Sequence, residues 1–302
     1  MKRKIVFAYL GLFLMTTIVG LSFIFVKIGL NASNSYDLLA HRFSIALVFV
    51  VLLKIFGLIK IGKIERKEWL KIIGVSFFYP ILCFGFQTVG MEYSTASQAG
   101  IIFALLPIFT LIAASLFLKE KSSILQKTGI GISVTGLIFI FSQNLSSSGE
   151  TNIYGVILML LSVFSMVVYY MIAKKIMQKH NSITLTSVMI IIGFVVFNLV
   201  GISRHLINNS INEFFEPFMS MSFIVSVLYL GILSSVLTSF LTNYALTYIS
   251  TSNVSVMNNI SPIIAILGGV VILGESLSLV QILGGLTVLI GVSVVIYFQR
   301  KN

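Results

Sequence analysis

Asparagine and serine recur at helical spacing in one otherwise apolar stretch: Ser255, Asn258, Asn259 and Pro262 fall at i, i+3, i+4 and i+7, one face of a single helix. The chemistry open to that face is hydrogen bonding, either to neighbouring helices or to a polar ligand in a cavity. A few other polar residues interrupt apolar runs in the same way. Tyr170, beside Tyr169, and Asn243 and Tyr244, beside Thr242, offer donors, acceptors and stacking surfaces. Gln98 and Phe103 lie in an earlier run. Lys27 and Arg42 are cations at or near the ends of two consecutive runs. Lys27 can snorkel to a water interface. Arg42 carries a fork suited to a carboxylate, so a pair with a nearby acid such as Asp37 or Glu92 and a contact to a ligand both remain open.

Catalytic constellations are scarce. Asp37 is the sole aspartate, His41 is the one histidine placed to be buried, and Cys83 is the sole cysteine. An aspartyl dyad, a cysteine metal cluster and an intrachain disulfide are therefore excluded, and neither a zincin motif nor a P-loop is present. No cofactor is implied, and the residues an intramembrane enzyme would need are missing from the apolar blocks. His41 suits a hydrogen-bonded structural role.

The elements that must position these residues are membrane helices. The chain of 302 residues is 57% hydrophobic and only 10% charged, with mean hydropathy +1.05, whereas soluble domains carry about 25% charged residues. Its apolar residues come in blocks of about twenty, the length a bilayer core asks of a helix. The blocks are continuous rather than alternating, which favours helices over barrel strands. Spans are expected near 5–27, 37–57, 70–90, 93–118, 126–143, 153–173, 183–203, 222–246, 253–273 and 277–298.

The net charge of +11 does not point to nucleic acid, because the bases form no sustained face. They mark topology instead. Placing the N-terminus inside puts Lys2, Arg3, Lys4, Lys60, Lys63, Arg66, Lys67, Lys119, Lys121, Lys174, Lys175 and Arg300 in inner segments, while the outer loops hold only Arg204. Both termini are expected in the cytoplasm. Trp69, in a basic loop at a span start, reads as an interfacial anchor.

Sliding the sequence by 155 residues aligns Tyr93 with Tyr248, Ser97 with Ser252, Pro107 with Pro262 and Glu120 with Glu275. Gln126 with Gln281, Gly129 with Gly284 and Gly136 with Gly291 keep the register. Each half has five spans, an odd number, so the second enters the membrane inverted. The expected organisation is a first repeat over 1–143, an external linker over 144–152 and a second repeat over 153–302. The glycines, seven apart, permit close helix approach, and the two glutamates read as helix-capping or turn residues. In this register the first repeat sets Gln98, Gly100, Phe103 and Ala104 against the amide-rich face of span nine. A pocket between them would be amide-rich on one wall and apolar or aromatic on the other. Phe214, Phe215 and Phe218, in the long polar stretch 208–220, suggest an interfacial segment.

These motifs resemble the drug/metabolite transporter superfamily, in its EamA-like group with two tandem repeats. The resemblance covers essentially the whole chain. It rests on Arg42 and Phe43 entering span two, on Trp69, and on two copies of one pattern. The first copy runs from Gly90–Tyr93 through Pro107 to Leu118–Glu120, Gly129 and Gly136; the second runs from Tyr244–Tyr248 through Pro262 to Leu273–Glu275, Gly284 and Gly291. Span one departs from the pattern, with Val19 before Gly20 where the family often has Trp.

The resemblance implies an all-α integral membrane protein of ten transmembrane helices in two inverted five-helix repeats, working as an alternating-access secondary transporter. Its implied partners are a small polar organic substrate, amino acids or related compounds with export as the direction, and the lipid bilayer of a bacterial inner membrane. Nucleic acid is not a partner, and a homodimer is compatible with the sequence. A lipid translocase or a channel is the alternative.

Overall fold

A computed structural model describes residues 2–118, 124–144, 152–258 and 260–299. The first repeat comprises α1 (Lys2–Leu30), α2 (Ser35–Ile55), α3 (Arg66–Glu92), α4 (Ala96–Phe103 continued by Leu106–Leu118) and α5 (Ile124–Asn144). The second comprises α6 (Ile153–Ile176), α7 (Ser182–Ile207), α8 (Met221–Tyr248), α9 (Thr251–Met257 continued by Ile260–Leu273) and α10 (Leu279–Gln299). Eight of the ten are long and apolar enough to cross a bilayer, and α10 holds the shorter apolar stretch Leu279–Val294. α5, at 21 residues, completes the count of ten expected spans. The protein is an all-α, multi-pass membrane protein of two inverted repeats.

Exposed Leu, Ile, Val and Phe side chains cover the outside of α1, α2, α5, α7 and α10. On a soluble protein such a surface would aggregate, whereas lipid tails accept it. A short turn of helix, Ile211–Met219, bridges α7 and α8 at the end of the bundle opposite both termini, called the distal end below.

Three features set the internal geometry. First, α5 and α10 pair as the repeats' own seam, where a Cβ on Gly136 would meet the Gly284 carbonyl at 2.9 Å and one on Gly291 would meet the Gly129 carbonyl at 2.6 Å. Ser133 Oγ donates to the Val288 carbonyl across it at 3.1 Å. These are glycines of the repeat register, and their role is the close approach expected of them. Second, α3 and α8 each contain a widened helical turn, Phe77–Leu82 and Tyr229–Leu237. Shifted by the repeat register, the first falls at 232–237, inside the second. Such wide turns often mark functional sites. Third, the helix starts of α4 and α9 are capped alike. Thr95 and Gln98 form a reciprocal capping box, and their repeat counterparts Ser250 and Asn253 form its one-sided version, with the Asn253 N–H donating to Ser250 Oγ.

Glu275 also caps a helix, but one in the other repeat. Its carboxylate accepts from the Ala96 N–H at 2.7 Å, the Ser97 N–H at 2.9 Å and the Ser97 hydroxyl at 2.6 Å, at the start of α4. A negative charge is well placed at that positive helix end. Glu120, its repeat counterpart, lies outside the described residues, as do Lys119, Lys121, Asn259, Arg300 and the linker residues 145–151.

Candidate functional site

The most costly group in the bundle is Arg42. It stands seven residues into α2, about 10 Å from the helix start at 1.5 Å per residue, and is 1% exposed. Gly231 of α8 permits this placement, since a Cβ there would meet the Arg42 carbonyl at 2.8 Å. The close crossing brings the widened turn of α8 against the guanidinium. Nε donates to Ser235 Oγ at 2.8 Å and Nη2 to Ser234 Oγ at 3.1 Å. The cation also lies 3.8 Å from the centroid of the Phe84 ring, a favourable cation–π position.

Neither acid offered by the sequence pairs with it. Asp37 is bound to His205 Nε2 at 2.9 Å and to Asn34 Nδ2 at 2.7 Å, and Glu92 accepts from the Ser35 N–H at 2.9 Å. Among the described residues no carboxylate forms an ion pair with Arg42. The reading of Arg42 as one half of an internal ion pair is thereby corrected: hydroxyls and an aromatic face hold it.

An aromatic chain leads away from Arg42. Phe84 packs against Tyr79 with centroids 4.9 Å apart, Tyr79 stacks on Tyr169 at 4.4 Å and 19°, and Tyr169 meets Tyr170 at 5.5 Å. Tyr79 reaches this chain because Pro80 interrupts the α3 ladder, leaving Tyr79 extended at φ −145° and ψ 115°. Its hydroxyl lies 3.2 Å from Ser239 Oγ. Tyr169 donates to Asn243 Oδ1 at 2.8 Å, and Asn243 Nδ2 donates to Thr186 Oγ1 at 3.0 Å. Cys83 is buried beside Ser162 and Met166.

Two residues singled out by sequence carry polar atoms that this structure leaves without partners. Among the described residues the fully buried Tyr170 hydroxyl has no hydrogen-bond partner, and Asn258, 1% exposed, has none at either amide atom. Buried polar groups are almost always bonded, and each exception calls for a reason. Asn258 caps the end of the first half of α9. There α9 crosses α1 and α4 closely: a Cβ on Gly20 would meet the Ser261 carbonyl at 2.8 Å, and one on Gly100 the Pro262 carbonyl at 3.1 Å.

The other expected residues are placed elsewhere. Ser255 bonds back to the Ser252 carbonyl. Gln98 is engaged in the α4 capping box, and Phe103 packs edge-to-face on Phe23 at 5.1 Å. Tyr244 joins Phe7, Phe240 and Tyr248 at the terminal end, apart from the Arg42 chain. Lys27 donates to the Met91 carbonyl at 2.8 Å. His41 is bonded through Nε2 to the Phe214 carbonyl at 2.7 Å and packed among Phe214, Phe218 and Phe223. Sequence reasoning passed over Tyr79, Phe84, Ser234, Ser235 and Ser239. Their available signals were the Tyr–Pro step and the paired serines inside apolar helices.

Chemically, the arrangement is a buried cation with hydroxyl and aromatic neighbours, followed by a tyrosine-lined core with spare hydrogen-bonding capacity. Nothing in it activates a nucleophile, and among the described residues no set of side chains could hold a metal ion.

The EamA-like transporter family matches this chain twice, over residues 6–142 and 153–297. A transporter YcxC of Bacillus subtilis, itself described as uncharacterized, is 40% identical over 285 residues, which are 94% of this chain and 91% of that protein. An uncharacterized transporter of Archaeoglobus fulgidus is 28% identical over 297 residues, 98% of this chain and 99% of its own. A solved crystal structure superposes with a TM-score of 0.69 over 97% of this chain and 98% of its own at 14% identity, a likeness of fold alone. With both repeats matched in tandem around a buried polar core, the chain belongs to the EamA-like transporter family.

Proposed function

We propose that this protein is an alternating-access secondary transporter for small polar organic metabolites bearing a carboxylate, amino acids or related compounds, with export as its direction. The observation that carries the reading is Arg42: a permanent charge, buried within the bundle, with no acid of the described chain to neutralise it. Burying a charge without a counter-ion is expensive. A substrate carboxylate would supply the missing anion and use the fork that the two serines leave partly occupied. Tyr170 and Asn258 would bond the rest of the molecule.

No P-loop exists in the sequence, so in this reading the energy comes from gradients or from the substrate itself. Since solvent does not reach Arg42 in this conformation, access requires the bundle to open on one side at a time. The basic residues at the terminal end favour a cytoplasmic placement of both termini in a bacterial inner membrane.

A second reading, lipid translocation, has one observation in its favour. A crevice of about 390 Å3 between α2, α7 and α8, lined by Phe49, Leu53, Leu58, Val236 and Phe240, would suit an acyl chain.

Thermal unfolding of the detergent-purified protein against a panel of amino acids, their amides, nucleosides, sugars and small cations tests the first reading, because a ligand that binds the native state raises its stability. Carboxylates should raise the transition further than their amides do. Stabilisation by amides equal to that by acids would contradict it. Flux of fluorescent lipid without amino-acid flux, both measured in one proteoliposome preparation, would select the second reading.

A further inference from the structure

A second recognition site lies at the distal end, outside the Arg42 core. A cleft of about 690 Å3 is formed by the loop before α2, the end of α7 and the Ile211–Met219 turn, and its lining includes Ser33, Asn34, Asp37, His205, Glu213 and Glu216. Three carboxylates and one histidine are the titratable groups of that lining, with no Lys or Arg among them. Glu213 and Glu216 stand exposed at its rim.

Asp37 distinguishes this cleft from an ordinary acidic surface. It is 3% exposed, yet its Oδ1 has no hydrogen-bond partner among the described residues. Its other oxygen is held by Asn34 at 2.7 Å and His205 at 2.9 Å. His205 Nδ1 lies 2.8 Å from both the Ser210 carbonyl and the Ser210 hydroxyl. Even counted as an imidazolium, His205 against three carboxylates leaves the lining net negative. Arg204 adjoins the lining, donating to Asn34 Oδ1 at 3.1 Å and lying over the Tyr36 ring at 4.6 Å; counted with it, the charge at the cleft stays negative.

We infer that this distal cleft binds the ammonium group of a small organic cation or zwitterion, with Asp37 Oδ1 accepting from it and Glu213 and Glu216 adding charge at the rim. An ammonium brings three donors and no acceptor, which matches a buried, unpartnered carboxylate oxygen backed by two more carboxylates. An inorganic metal ion fits less well, since no cluster of ligating side chains converges there among the described residues. The cleft's use as a station for transported molecules rests on the transport reading above; the binding itself does not.

Equilibrium binding of radiolabelled putrescine to the purified full-length protein in detergent, at physiological salt, tests the inference. Putrescine should bind saturably, and 1,4-butanediol, of the same length without charge, should not displace it. The exposed pair change Glu213→Gln with Glu216→Gln should weaken binding at least tenfold without altering folding, and Asp37→Asn should weaken it further. Arg42→Lys should leave it unchanged. Absence of saturable binding, equal displacement by butanediol, or unchanged affinity in the Glu213→Gln/Glu216→Gln protein would overturn the inference. If putrescine binds as expected while carboxylates neither bind nor move, the cleft stands and the transport reading falls.

Discussion

Phe103 and Asn258 occupy the same position in the two repeats, 155 residues apart, and the structure treats them in opposite ways. Phe103 is satisfied: it sits in the core edge-to-face with Phe23. Asn258 is equally buried, yet neither of its amide atoms finds a partner. Around them the repeats agree, with capped starts at Thr95 and Ser250 and a proline in register at 107 and 262. What the two halves share builds the bundle. Where they diverge, one half completes the packing and the other is left with hydrogen-bonding capacity to offer.

Breaking that difference should give the largest effect. Asn258→Leu removes both polar atoms of the amide, and at about 1 kcal/mol for one hydrogen bond at each the loss corresponds to roughly 30-fold in transport efficiency. Its thermal transition should stay near that of the parent, because no bond of the resting protein is lost. The matching change in the other repeat, Phe103→Leu, should do the reverse: transport persists, and stability falls by about 1 kcal/mol with the lost aromatic pair. Initial rates in proteoliposomes beside thermal unfolding separate the two. If Asn258→Leu is instead the variant that fails to fold, its amide bonds neighbouring helices and the contrast is false.

The shared architecture predicts a different signature. Gly291→Ala places a methyl group against the Gly129 carbonyl and Ser133 at the α5–α10 seam, and overpacking of this kind costs about 1–3 kcal/mol. Unfolding in detergent should show that loss, with the substrate affinity of the folded fraction unchanged. A smaller effect is expected at the cap that one repeat lends the other. Glu275→Gln keeps an acceptor for the α4 start but removes the charge, for about 1 kcal/mol. A stability change in that variant well below this figure would show that the α4 start is held by Thr95 and Gln98 alone.

The sequence made the scaffold readable because lipid imposes a uniform rule: every span is a continuous apolar block, and prolines, glycines and glutamates in one register expose the inverted repeat. All ten expected spans correspond to helices, although α1 and α3 run several residues beyond the expected ends. Long-range pairing was harder to read. Glu275 was legible as a cap, but its partner at Ala96 lies 179 residues away, and no local pattern names it. The site was readable only in part, for a related reason. Arg42, Tyr170, Asn243 and Asn258 stand out because an amide or charge in an apolar block is rare. Ser234 and Ser235 do not, since a serine in a helix can bond its own backbone, as Ser235 does to the Leu230 carbonyl. The widened turn that turns both serines toward Arg42 has no simple sequence signature.

In the proposed transport cycle, the transported molecule provides the counter-ion that Arg42 lacks among the described residues. The most direct measurement is the affinity ratio between a stabilising carboxylate and its amide, by equilibrium binding to the purified protein and its Arg42→Lys variant. An ammonium cannot reproduce the two-pronged contact, so the ratio should fall at least tenfold in the variant while affinity for the amide is retained. An unchanged ratio in a folded Arg42→Lys protein would contradict the account and leave Arg42 a packing residue of α2 and α8.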